Sequence, residues 1–141
     1  MIEIFNETGK ETGLSERKVR AVADNIFGVY AYSLNYCNII LLSDNELLDI
    51  NKDFLGHDYF TDIITFNYGE GKQIEAELYI SLERVMENAD NLHVKLEDEL
   101  YRVIIHGMLH LCGFKDDTDE LKSEMRKSED RFLGFVSRET M

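Results

Sequence analysis

Apolar residues recur along this chain in two rhythms, one helical and one alternating. From about Ser15, Val19, Val22, Ala23, Ile26 and Val29 fall at helical spacing and predict an amphipathic helix. Before it, IEIFN at residues 2–6 has the form of a short edge strand. Residues 36–43, YCNIILLS, make an apolar run of strand length. Ser43 then opens Ser-x-x-Glu with Glu46, a capping box that starts a short helix through Asn51 and Phe54. Residues 61–68, TDIITFNY, are β-branched and aromatic, and residues 74–81, IEAELYIS, alternate apolar with polar. The GEGK between them predicts an antiparallel hairpin with a loose loop. The rest reads as helix, near residues 82–91, 96–112 and 119–135, the last burying Leu121, Met125, Phe132 and Leu133.

The order is therefore β-α-β-α-β-β-α-α-α. Early alternation, then a hairpin and a helical tail, defines an α+β fold: a small mixed sheet of about four strands covered by about five helices. Residues 1–141 contain no linker, repeat or low-complexity tract and are expected to form one domain. Apolar residues make up 44% and charged residues 30%, the balance of a globular rather than a disordered chain. There is no secretory leader pattern and no apolar stretch of the roughly 20 residues a bilayer requires. A cytoplasmic protein without a membrane partner is expected. The net charge of −13 argues against a non-specific duplex binder. Contact with RNA would need a local patch, a metal or a partner. Cys37 and Cys112 are too few for a disulfide scaffold and match no zinc-finger spacing, so both read as buried thiols.

Chemistry concentrates in HGMLHLCGFKDDTDE, residues 106–120. His106 and His110 lie next to Val103 in a row beside the core stripe of Leu96, Leu100, Ile104 and Leu111. Residues four apart on a helix are offset by about 40° and about 6 Å, so both rings can converge on one ion. Gly113 can take the left-handed conformation that ends a helix and turns the chain back. Asp116 and Asp117 then come within reach of the same ion. Histidines at this spacing are often mere packing, and either aspartate could simply start the last helix; the helix stop followed by aspartates favours a metal. Metalloproteases carry His-Glu-x-x-His with the glutamate as base, and here Gly107 stands in that position, which disfavours a peptidase of that type.

The segment His106-Gly107-Met108-Leu109-His110-Leu111-Cys112-Gly113-Phe114 resembles the motif of the YbeY family of bacterial rRNA-maturation endoribonucleases, His-Gly-x-Leu-His-Leu-x-Gly-Tyr-Asp-His. Thr61-Asp62-Ile63-Ile64-Thr65-Phe66 is similar to that family's Thr-Asp-Val-Leu-Ser-Phe, and Ala76-Glu77-Leu78-Tyr79-Ile80-Ser81 to its Gly-Asp-Ile-x-Ile-Ser. The likeness covers essentially the whole chain. It implies a metal-dependent hydrolase, usually described with zinc, that cuts single-stranded rRNA in 16S rRNA 3′-end maturation and ribosome quality control. Ribosomal proteins or the small ribosomal subunit are the implied partners. The family's third histidine falls on Asp116 and its preceding aspartate on Lys115. Two histidines and a carboxylate leave a fourth position for water, and the harder donor set extends the choice of ion to Mn, Fe or Ni. Asn51-Lys52-Asp53-Phe54-Leu55-Gly56 matches the family's Asn-x-x-aromatic-Arg-Gly with Leu55 in place of the arginine linked to RNA binding.

The expected metal ligands are thus His106, His110 and Asp116. No general base stands out; Asp62 and Asp117 are candidates, against plain roles at a strand start and a helix cap. Lys115 could meet phosphate or be a solvated lysine, and His57 and His93 read as surface residues. Two rivals remain: a metal hydrolase of another substrate, and a ribosome-assembly factor that holds a metal without cleaving.

Overall fold

The computed structural model describes residues 1–139. Four strands form one sheet: β1 (Ile2–Asn6), β2 (Ser33–Leu42), β3 (Ile63–Asn67) and β4 (Gln73–Ser81), in the spatial order β1-β2-β4-β3. β1 pairs with β2 and β2 with β4 in parallel, while β3 and β4 form the antiparallel hairpin read from the sequence. Five helices complete the described residues: α1 (Glu16–Val29), α2 (Asp44–Leu55), α3 (Leu82–Leu92), α4 (Leu96–Leu111) and α5 (Asp119–Glu139). This is the expected α+β order.

Strand alternation sorts the core. Cys37, Ile39 and Leu41 of β2 and Ile74, Ala76, Leu78 and Ile80 of β4 point to one face, where α1 and α4 pack. Ile40, Leu42, Ile64 and Tyr79 point to the other, where α2 lays Leu47 and Ile50. α4 is the central helix, in contact with α1, α3, α5, β3 and β4. Ten of its sixteen residues are buried, so the narrow apolar stripe read from sequence understates it.

Helix ends follow local chemistry. Ser15 and Ser81 cap α1 and α3, and Ser43 with Glu46 forms the predicted capping box of α2. Asp44 at the start of α2 accepts hydrogen bonds from Ser81 Oγ (3.0 Å) and Arg84 Nη2 (2.8 Å), tying α2 to α3. Two expected core positions prove exposed. Val29 closes α1 in solvent, and Ile26 and Phe27 are the buried residues of that last turn. Leu121 is exposed, and Met125 is the first buried residue of α5. Met125 and Phe132 are buried as expected, and Leu133 is half-buried against the core.

Candidate metal centre

The centre is built by the end of α4 and the turn that follows. Gly113 takes φ +91°. Its N–H donates to the His110 carbonyl (3.0 Å) and the Phe114 N–H to the Leu109 carbonyl (3.1 Å), the paired bonds of a Schellman stop. The stop has two consequences. The Phe114 carbonyl swings back to accept from His110 Nδ1 at 2.9 Å. The chain then returns along the helix and delivers Asp116 beside the two imidazoles.

Three ligand atoms converge. His106 Nε2 and His110 Nε2 are 3.0 Å apart, and each is 3.4 Å from Asp116 Oδ2. Two donors held at 2.0–2.1 Å from a tetrahedral ion lie about 3.4 Å apart, so the triangle is the size such an ion requires. The tautomers agree. A carbonyl only accepts, so His110 carries its proton on Nδ1. His106 Nδ1 lies 2.7 Å from Glu129 Oε2, and donates to that carboxylate. Both Nε2 atoms therefore face each other and the Asp116 carboxylate, a set of atoms suited to share a cation or a proton. Orientation of ligand imidazoles through the far nitrogen is the usual support of a metal site.

The surrounding charge points the same way. Burial works against protonation of His106, but the Glu129 hydrogen bond and the negative charges of Glu129, Asp62 and Asp116 raise its pKa above the ordinary value. Burial raises the Asp62 carboxyl, opposed by His106 and by backbone N–H groups and reinforced by Glu129. Burial also raises Glu99, against the pull of Arg102. Glu129 and Glu99 are both buried, and Arg102 lies 3.2 Å from the first and 3.7 Å from the second.

Two cavities meet at the centre and share Asp62, His106 and Asp116. One, of about 790 Å³, also has Asn51, Leu55, His57, Tyr59 and His110 in its walls. The other, of about 470 Å³, is walled by Asn88, Arg102, Lys122 and Arg126 with the carboxylates of Glu99 and Glu129. The expected residues sort cleanly against these walls. Asp62 lies at the junction. Asp117 and Lys115 are exposed and line neither cavity. Asp117 does not cap α5 either, since the Thr118 hydroxyl accepts the Leu121 N–H at 3.1 Å. His93 is exposed, as expected, and ends α3 as its cap, whereas His57 is exposed yet lines the larger cavity. Cys37 is buried and Cys112 half-buried at the end of α4, and burial pushes both thiols up to about 12. Gly107 faces the sheet. A Cβ there would sit 2.7 Å from Ile63 Cδ1, so the glycine serves packing and its position has no room for a catalytic glutamate.

Sequence reasoning missed Glu129, Glu99 and Arg102. The signal of the two acids is their alignment with a packed face: Glu129 falls in line with the buried Met125, Phe132 and Val136, and Glu99 with buried Val103 and half-buried His106 and His110.

A mixed sheet backed by a helix that carries two imidazoles, with a carboxylate from the turn beyond it, defines an α+β protein with a group that could hold a metal ion. The family model described as Endoribonuclease YbeY matches residues 3–137. An Endoribonuclease YbeY of Cytophaga hutchinsonii is 46% identical over 135 residues, covering 95% of this chain and 94% of the relative. One of Chlorobaculum tepidum is 42% identical over 132 residues, covering 94% and 95%. The solution structure of a Thermotoga maritima protein superposes with a TM-score of 0.69 at 32% identity, covering 99% of this chain and 91% of that one. The chain belongs to the YbeY endoribonuclease family.

Proposed function

We propose that this chain is a metal-dependent endoribonuclease of single-stranded RNA, with His106, His110 and Asp116 holding one divalent ion, zinc before Mn, Fe or Ni. The observation that carries the proposal is the triangle of Nε2, Nε2 and Oδ2 atoms, with both imidazoles locked through Nδ1. His106, His110 and Asp116 would hold the ion, which would supply a water of lowered pKa and polarisation of a phosphoryl oxygen. Glu129 and the Phe114 carbonyl, by holding both Nδ1 atoms, would leave both Nε2 atoms free to hold the ion. Asp62, at the junction of the two cavities with a raised pKa, is the group placed to take and return a proton. Hydrolysis adds water across one P–O bond: oxygen joins phosphorus, the leaving oxygen departs, and it takes up a proton.

The wider role proposed is 16S rRNA 3′-end maturation and ribosome quality control in the cytoplasm, with residues 1–141 acting as one domain. The charge of −13 and Leu55 in place of the arginine favour delivery to RNA through ribosomal proteins or the small ribosomal subunit. No described helix is long and apolar enough to cross a membrane. The test is cleavage of matched single-stranded and duplex RNA by zinc-loaded protein, metal-stripped protein and His110→Ala. Cutting of the single strand by the loaded parent alone is expected. Equal cutting after stripping would exclude the metal's role. A loaded parent that binds RNA without cutting it would leave an assembly factor.

A further inference from the structure

The larger cavity has an unusual wall. His57 and Tyr59 stack with ring centroids 5.1 Å apart and planes 19° from parallel. His57 Nδ1 and the Tyr59 hydroxyl are also in hydrogen-bond contact at 3.0 Å. Both rings are exposed, Tyr59 at 55%. The loop that carries them is pinned. Gly56 takes φ +69° to end α2, and the His57 N–H donates to the Asn51 carbonyl at 3.1 Å. The Asn51 side chain, 2% exposed, donates back to the Tyr59 carbonyl at 2.9 Å. A buried amide thus holds two aromatic rings in place at the mouth of the metal cleft.

We propose that the His57–Tyr59 pair is a base-stacking platform, holding an unpaired nucleobase of the RNA on one side of His106, His110 and Asp116. This rests on the nuclease reading and adds the means by which it grips its substrate. Charge supports it. Among the described residues no lysine or arginine lines this cavity, Leu55 occupies one wall, and nearby Lys52 is paired with Asp58 at 3.4 Å. Apart from the ion proposed at the centre, the phosphate backbone meets no lysine or arginine on that wall, whereas every base offers a π-face to an aromatic ring. The pinned backbone means the loop need not be ordered on binding. The platform also selects for single strands, because duplex bases are already stacked on their neighbours.

The test uses the zinc-loaded protein and a short fluorescein-labelled single-stranded oligoribonucleotide, with an abasic nucleotide moved through each position. Tyr59→Ala is expected to raise KM about 5- to 100-fold, and Tyr59→Phe to change it less than about threefold. In the parent, one abasic position beside the cut carries a penalty of the same size. In Tyr59→Ala that position carries none. Zinc content equal to the parent's shows that the variants are folded at the centre. If the parent cleaves single-stranded RNA while Tyr59→Ala keeps the parent's KM and abasic profile, the platform is wrong and the nuclease reading stands. If the parent neither binds nor cuts RNA, both fall together.

Discussion

At the scale of single residues, the centre depends on what lies behind the ligands. Asp116→Ala should remove one apex of the triangle, and elemental analysis should find about one zinc per parent chain and little in the variant. Retention of the ion would move the third ligand elsewhere. Glu129 touches no ion in this arrangement, yet it fixes His106 through Nδ1. Glu129→Ala should weaken zinc binding about 10- to 100-fold, read by competition with a fluorescent chelator. The two histidines were legible from their spacing and the helix stop. Glu129 was not, because it lies 23 residues on from His106 and only the packing of α5 on α4 brings it near.

At the scale of elements, two junctions govern the cleft. The Schellman turn after α4 sets both the Phe114 carbonyl and Asp116, and it requires Gly113 at φ +91°. Gly113→Ala should cost about 1–2 kcal/mol in urea unfolding and weaken zinc binding as well. The second junction is Asp44, whose carboxyl the Arg84 hydrogen bond holds below its usual pKa against an opposing contribution from burial. A carboxylate depressed in the folded state adds stability that is present above its unfolded pKa, about 3.9. That stability is lost as pH falls through the folded value. Asp44→Asn should therefore lower stability near neutral pH and flatten its fall below about pH 4, measured by denaturant titrations across pH. An unchanged pH profile would show the Asp44–Arg84 pair to be energetically idle. The capping box was readable because its partners are three residues apart. The link from Asp44 to Arg84 spans 40 residues and was not.

For the whole molecule, the core and the metal centre are separable. The main apolar cluster joins α1, α3, α4, α5 and the sheet around α4 without the three ligands. Stripping the ion with EDTA should leave the far-UV circular dichroism unchanged, and zinc at about 100 times its Kd should add only about 2.7 kcal/mol of stability. Unfolding on chelation would make the site a structural one. The charge of −13 sets a second expectation. Raising salt from about 50 to about 200 mM should change RNA affinity less than about tenfold, against about 10³- to 10⁵-fold for a protein making many phosphate contacts.

The sequence by itself determined the element order, the Ser43–Glu46 capping box and the two histidines, because each is written in neighbours a few residues apart. It also placed Asp116 near them through Gly113 and the resemblance. Only the tertiary structure decided that α4 would be buried nearly all round, that Glu129 would hold His106, and that Asp62 rather than Asp117 would face the cleft. It alone brought His57 and Tyr59 to the wall of the metal cavity. The physical reason is common to all of these. Local pattern fixes which way a side chain leaves its own helix or strand, and only the packing of one element on another fixes what it meets there.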